Sequence, residues 1–247
     1  MPTLAGLPAT TVRHLIDPLL AVVFAPRCPS CGTGLDHPTR GPLCAACWKS
    51  LPRHRQSLCR CGFPLPAGLA VCGRCRRGQQ PFEAGASLGP YEGSLRILVH
   101  ELKYRGRRRV AARLAEELLA FERTRALLEG EVVLVPVPLH PRRRRERGYN
   151  QSELLARELE RRTGRAVEAR SLVRRRETAP QAGLSAAERR RNVAGAFAVR
   201  HRGALAGRVA VLVDDVWTTG ATALACARIL KEAGAAGVRL LSVARVP

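Results

Sequence analysis

Apolar and polar positions divide the 247 residues into stretches of different texture. Near the start, Leu15, Ile16, Leu19, Leu20, Val23 and Phe24 recur at helical spacing, with Asp17-Pro18 as N-cap and first turn. This predicts a short amphipathic segment within residues 1–27, used either for packing on the body of the protein or for docking to a partner or membrane surface. From about Pro81 the pattern alternates between helical and strand texture. Ala111–Leu128 reads as a helix carrying Leu114, Leu118, Leu119 and Phe121, followed by a strand at Val132–Val135 that Pro136 and Pro138 interrupt. A helix over Gln151–Arg162 is capped by Asn150, with Glu153 three residues on, and stops at Gly164. Val209–Val213 is apolar at every position, as a central parallel strand should be. A polar turn, a helix to about Ala233-Gly234 and a last strand at Val238–Val243 complete a strand–helix–strand unit. The predicted class is α/β, with a mainly parallel sheet flanked by helices over residues 81–247.

Residues 28–80 are organised by cysteine rather than by hydrophobic period. Eight of the nine cysteines lie here, as Cys28-Pro-Ser-Cys31 and Cys44-Ala-Ala-Cys47, then Cys59-Arg-Cys61 and Cys72-Gly-Arg-Cys75. Paired short spacings let two thiolates on one tight turn grip a tetrahedral metal, and two such turns complete a closed site. Two structural zinc ions are therefore expected, against a disulfide framework or an iron–sulfur cluster as alternatives. The Cys59–Cys61 spacing is one residue short of the usual knuckle. A module of about 50 residues has too small a core to fold well alone, so metal supplies its stability and removing zinc should unfold it first. A closed site of four thiolates offers no open position for chemistry. Cys226, alone in a helical pattern, reads as core packing.

Composition adds a polyanionic partner. There are 42 basic against 20 acidic residues, a formal net charge of +22, and all but three of the basic residues (Lys49, Lys103, Lys231) are arginine. Nucleic acid, an anionic surface or a phosphorylated small molecule would each suit that charge. A hydrophobic fraction of 46% excludes global disorder, and no apolar run approaches the ~20 residues of a membrane span. Aromatic residues make up only 4%, leaving Trp48, Phe63 and Phe82 as candidate stacking platforms for single strands.

The segment Val211-Leu212-Val213-Asp214-Asp215-Val216-Trp217-Thr218-Thr219-Gly220-Ala221-Thr222 carries the most chemistry. Two of the four aspartates in the chain stand together at the C-terminal end of a buried strand, where open α/β sheets bind ligands. The Thr-Thr-Gly-Ala-Thr turn leads into a helix whose free amides and hydroxyls can cradle a phosphate. Carboxylates beside a phosphate cradle fit a ribose phosphate. Arg142-Arg143-Arg144-Arg145 and Arg147 supply guanidinium groups for phosphate oxygens, the alternatives for the run being a solvated turn or a nucleic-acid contact. Lys103, rare in so arginine-rich a chain, is a candidate contact to phosphate or a point charge near the site. His100 is read as structural rather than as a base.

These stretches together resemble the ComF family (ComFC/GntX-like), in which a double zinc ribbon precedes a type I phosphoribosyltransferase domain. The resemblance rests on the doubled cysteine pairs, on residues 211–222, and on His100-Glu101-Leu102-Lys103-Tyr104-Arg105-Gly106. It continues through Val135-Pro136-Val137-Pro138-Leu139, Arg147-Gly148-Tyr149-Asn150-Gln151, Arg176-Glu177-Thr178-Ala179-Pro180-Gln181, and Leu184-Ser185 to Phe197. Trp217 is bulkier than the family's loop would suggest.

By this resemblance Asp214 and Asp215 bind the ribose hydroxyls of phosphoribosyl pyrophosphate (PRPP), directly or through Mg²⁺, and Thr218, Thr219, Gly220, Ala221 and Thr222 hold its 5′-phosphate. Lys103, Arg147, Gly148 and Tyr149 fall near the pyrophosphate loop. Arg174 and Arg189 fall in a closing loop over 174–191. The resemblance also implies DNA uptake in natural transformation, single-stranded DNA, a competence helicase and recombination-mediator proteins as partners, and a cytoplasmic place near the inner face of the membrane. A phosphoribosyltransferase with unassigned acceptor, and a non-catalytic PRPP sensor or DNA-binding adaptor, both stay open; no catalytic residue is assigned.

Overall fold

In the computed structural model, residues 26–37, 41–80, 82–178, 185–201 and 203–246 are described. The amphipathic stretch at 15–24 and the motif residues Ala179–Leu184 lie outside them. The cysteine-rich segment contributes two short helices, α1 (Ala45–Lys49) and α2 (Gly73–Arg76). The body then runs β1 (Ala84–Pro90), α3 (Gly93–Tyr104), α4 (Val110–Ala120), α5 (Glu122–Leu127), β2 (Val132–Pro136), α6 (Pro141–Arg147) and α7 (Gln151–Thr163). It continues with β3 (Leu172–Arg174), α8 (Ala186–Val193), β4 (Phe197–Val199), β5 (Val209–Trp217), α9 (Ala221–Glu232) and β6 (Gly237–Arg245).

Four strands form one sheet in the order β1-β6-β5-β2, every pair parallel, and β3 and β4 form a separate antiparallel hairpin. Because side chains alternate along a strand, two cores form. Leu134, Val211, Val213, Leu241 and Val243 pack beneath α3, α4 and α7. Val133, Val135, Ala210, Leu212 and Leu240 pack on the other face beneath α9 and the β3–β4 hairpin. Cys226, expected as packing, is fully buried in this second core.

Three elements differ from expectation. The helix over 111–128 is broken at Phe121, whose backbone is extended (φ −86°, ψ 118°), and Arg125 Nη1 caps the freed carbonyls of Leu119 and Ala120 at 2.9 and 3.1 Å. The arginine run after Pro138 is a helix, α6, with Pro141 in its first turn and Gly148 (φ 77°) as its left-handed C-cap. The segment expected as a closing loop carries regular elements at its two described ends: β3 ends at Arg174, and α8 opens with a capping box between Ser185 and Glu188.

The cysteine-rich segment is pressed against β1. A Cβ on Gly85 would lie 2.5 Å from the Cys61 carbonyl oxygen, and one on Gly89 only 2.0 Å from that of Pro52, so only glycine allows this approach. Arg123 ties the junction by donating to the carbonyls of Gly85 (3.0 Å), Leu58 (3.4 Å) and Cys59. Leu35, Leu43, Trp48 and Leu51 join the first core, whereas Cys59, Cys61, Cys72 and Cys75 join the second. Among the described residues no helix is long and apolar enough to cross a membrane.

Candidate functional site: a carboxylate-floored cationic cleft beside two four-cysteine centres

Both cysteine quartets assemble. In each, the four Sγ atoms lie within 4.8 Å of one another. Cys31 and Cys44 are 3.6 Å apart, as are Cys61 and Cys72. Tetrahedral zinc with Zn–S of about 2.3 Å requires S···S of about 3.8 Å, whereas a disulfide requires about 2.05 Å. The geometry fits metal, and all nine cysteines are free thiols. The short second spacing has a local explanation. In the first knuckle the Gly32 amide donates to Cys28 O at 2.8 Å, a four-residue reach, whereas the Gly62 amide donates to Cys59 O at 2.7 Å, a three-residue reach. Both glycines have positive φ (75° and 79°), so each knuckle closes at its own length. The second pair in each quartet starts a short helix, with Cys44 and Cys72 as N-caps. Cys31, beside the Thr33 hydroxyl at 3.4 Å, is held down to about 6, a thiol readily available as thiolate.

The parallel arrangement brings all four strand C-termini to one edge, where a cavity of about 460 Å³ opens. Its lining includes Tyr91 after β1, Val137–Leu139 after β2, Asp214–Thr218 at the end of β5, and Val246 after β6. On the floor, Lys103 Nζ from α3 meets Asp215 Oδ1 at 2.6 Å, with Asp215 almost fully buried. Asp214 Oδ1 accepts from the Ser152 hydroxyl at 3.2 Å and from the Asp215 amide at 2.9 Å. Burial, reinforced by the neighbouring Asp215 charge, pushes Asp214 up to about 7, with Lys103 and the hydrogen bonds opposing. Burial would lower Lys103, but the attraction of Asp215, and then Asp214, outweighs it and raises its pKa. Asp215 Oδ2 is buried with no hydrogen-bond partner among the described residues.

Five basic side chains line the cavity against these two carboxylates: Lys103, Arg143, Arg147, Arg174 and Arg189. Arg147 donates to Gln151 Oε1 and lies over the Tyr104 ring at 5.3 Å. Arg174, lowered by burial, donates to the Thr178 hydroxyl. Its Nε and that of Arg189 are buried without a partner among the described residues. At the end of β5, Gly220 (φ 79°) is the N-cap of α9, and Thr218, Gly220 and Thr222 face the cavity. Free amides of that helix end and its dipole favour an anion there.

Sequence-derived candidates therefore separate. Lys103, Asp214, Asp215, Thr218, Gly220, Thr222, Arg147, Arg174 and Arg189 converge on the cavity. Thr219 and Ala221 complete the turn without lining it; the Thr219 hydroxyl lies 3.4 Å from the Ala221 amide. Gly148 serves as the α6 cap. Tyr149 is not brought to the cavity: its ring is buried in the first core under Arg108 and its hydroxyl donates to Leu102 O. His100 is exposed, 4.9 Å from the Tyr104 ring, and does not line the cavity. Two of the three stacking candidates are corrected, because Trp48 and Phe82 are buried core residues; Phe63 is exposed, with Arg245 over its ring at 4.3 Å. Ser152, whose hydroxyl holds Asp214, and the cavity residues Gln151 and Tyr104, the latter 66% exposed, were not read from sequence as site residues. Asn150 was the available signal for Ser152, since its Oδ1 caps the Ser152 amide at 3.0 Å while its Nδ2 holds Val137 O at 3.0 Å.

Fold and site define an α/β protein with a parallel sheet, a cationic cleft over paired aspartates at its C-terminal edge, and a double zinc ribbon with four cysteines in each half. Residues 19–76 match the double zinc ribbon domain. The DNA utilization protein YhgH of Salmonella typhimurium is 38% identical over 208 residues, covering 82% of this chain and 90% of that protein. Competence protein F of Haemophilus influenzae is 31% identical over 226 residues, 89% of this chain and 96% of that one. Competence protein ComFC of Bacillus subtilis is 28% identical, with 78% and 80% covered. The chain belongs to this ComF family of competence and DNA-utilization proteins. A solved glutamine PRPP amidotransferase from B. subtilis, in complex with ADP and GMP, is 25% identical over 58% of this chain and 30% of that chain, with a TM-score of 0.39.

Proposed function

We propose that the protein binds PRPP together with Mg²⁺ in the cleft, acts in DNA uptake during natural transformation and also binds single-stranded DNA. The observation that carries the reading is the juxtaposition of paired carboxylates with five cations and a helix N-terminus in one cavity. A ligand with vicinal hydroxyls in its middle and phosphate groups at both ends matches that distribution. The cavity volume falls in the usual small-molecule range of about 300–1,000 Å³. The donor set suits Mg²⁺, since Asp214 and Asp215 offer hard oxygens and Asp215 Oδ2 lacks a partner among the described residues. Held by Asp214 and Asp215, the cation would offset negative charge on the leaving pyrophosphate.

The protein's own residues do the rest. Asp214 and Asp215 orient the ribose, residues 218–222 fix the 5′-phosphate, and Lys103, Arg147, Arg174 and Arg189 balance the pyrophosphate charge. The acceptor is unassigned, and a non-catalytic PRPP sensor or DNA-binding adaptor is the second reading. The DNA role rests on the relatives' names and on the charge of +22, with helicase and recombination-mediator proteins as the partners the family resemblance implies. A cytoplasmic place at the inner membrane face belongs to the same reading.

The test is calorimetric titration of Mg²⁺·PRPP into wild type and the Asp214→Asn/Asp215→Asn double variant. Binding should be lost in the variant while its circular dichroism and zinc content stay unchanged. Equal affinity in the two proteins would remove the site assignment.

A further inference from the structure

The second four-cysteine centre and the turn at 218–222 are joined through a single indole. Trp217, the last residue of β5, is 4% exposed and packs edge-on against Phe82, centroids 5.5 Å apart. One end of its ring system meets Gly62, which follows the zinc ligand Cys61: a Cβ there would lie 3.1 Å from Trp217 Cζ3. The other end meets Gly220, where a Cβ would lie 2.8 Å from Trp217 Nε1. Arg245 stacks on the indole at 4.2 Å and donates from Nη1 to Gly62 O at 3.1 Å. A second link bypasses the indole, because Arg74, between the ligands Cys72 and Cys75, donates from Nη1 to Thr219 O at 3.4 Å. The first quartet is placed differently, with Cys28 and Cys47 in the core on the opposite face of the sheet.

We infer that the second four-cysteine centre positions the 218–222 turn, with Trp217 and Arg74 as the positioning residues, so that metal occupancy there sets anion affinity in the cleft. A helix N-terminus binds phosphate through amides that must already point at one place, and any wobble of the turn lowers affinity directly. Gly220 gives the turn its left-handed conformation but leaves it intrinsically loose. The flat indole restrains it at Gly220 and the Arg74 hydrogen bond restrains it at Thr219 O. Both restraints are anchored in the segment between Cys59 and Cys75, whose conformation depends on its metal. The bulky Trp217, a departure from the family pattern, is then the spacer that lets a zinc knuckle reach the phosphate turn. The affinity consequence rests on the PRPP reading above; the positioning itself does not.

Four variants decide it. Cys72→Ser removes a ligand of the second centre and Cys31→Ser one of the first. Arg74→Met and Trp217→Leu cut the links while leaving all eight ligands in place. Each is assayed for zinc stoichiometry, amide hydrogen exchange over residues 218–224, and Mg²⁺·PRPP affinity. Cys72→Ser should fall to one zinc, with exchange in the turn about tenfold faster and affinity about tenfold weaker, the effect expected for losing about one net hydrogen bond. Arg74→Met should keep two zinc and show the same direction of change, and Trp217→Leu at least as much; both answer the question even if Cys72→Ser fails to fold. Cys31→Ser should lose one zinc and leave exchange in the turn at the wild-type rate. Wild-type exchange in Arg74→Met and Trp217→Leu, or equal loosening by Cys31→Ser, overturns the inference. A wild type that binds no PRPP overturns the proposed function, while the exchange comparison still decides this one. With Trp48→Phe as background, Trp217 is the sole tryptophan, and its emission should shift on release of the second metal.

Discussion

Replacing Lys103 by methionine keeps the stem of the side chain and deletes the ammonium beside Asp215. At 2.6 Å the pair attracts by about 6 kcal/mol for an effective dielectric of about 20, an energy partly offset by desolvation of the lysine. Removing one partner of a buried pair generally costs about 3–5 kcal/mol, because the other charge is left uncompensated. Here the carboxylates have an escape, since Asp214 already titrates at about 7 and the pair can take up a proton instead. That escape is open at low pH and closed at high pH, at about 1.4 kcal/mol per pH unit. Lys103→Met should therefore destabilise the protein by about 1–2 kcal/mol at pH 6 and by about 3–5 kcal/mol at pH 8. Urea unfolding at the two pH values measures this. Pairing the change with Asp215→Asn in a double-mutant cycle isolates the interaction, and the double variant should recover most of the loss at pH 8. A loss below ~0.5 kcal/mol at both pH values, with no coupling to Asp215→Asn, would show that the ammonium is not the counter-ion the site depends on.

Other outcomes follow from the same geometry. Asp214 is raised from an ordinary 3.8 to about 7, so its contribution to the stability of the free protein is full below about pH 4 and lost as pH rises through 7. Mg²⁺ binding to the pair should accordingly release about one proton at pH 6 and almost none at pH 8, measured by calorimetry in buffers of different ionisation enthalpy. Gly89→Ala forces a Cβ to within 2.0 Å of Pro52 O, and should cost at least ~3 kcal/mol and speed zinc loss to a chelator. Gly203→Ala, which meets nothing within 4 Å, should do neither. Single-stranded DNA binding should weaken with salt at a log–log slope of about −3 or steeper, as for contacts to four or five phosphates, and a flat titration would exclude the electrostatic mode.

What the sequence could express about this protein follows the range of the interactions involved. The zinc quartets were legible because each knuckle is a local turn with its own glycine, and the Asp214-Asp215 strand end was legible because one segment carries both the carboxylates and the phosphate turn. The central strands were legible from unbroken apolar runs such as Val209–Val213. Helix α6 was missed because it buries no residue and so leaves no hydrophobic period; only Pro141 and Gly148 mark its ends. The break at Phe121 was missed because nothing local demands it. It serves α5, from which Arg123 reaches the carbonyls of Gly85 and Cys59. Tyr149 looked like a loop residue because its neighbours Arg147 and Gln151 do face the cavity, yet its hydroxyl is used by Leu102 O, 47 positions away.

The contacts that join the zinc ribbon to the cleft were the least visible of all. Gly62, Gly85, Trp217, Gly220 and Arg245 have no common period or motif, and each has an adequate local explanation. Gly62 closes a knuckle, Gly220 caps a helix, and Gly85 is one more small residue in a strand. Only in the fold do three of these glycines become the surfaces on which one indole rests. A Cβ at any one of the three would meet either the indole or the facing backbone at 2.8 Å or less. Their smallness is therefore a property of the junction as a whole, and the ribbon acts here as a structural part of the cleft rather than as an appendage to it.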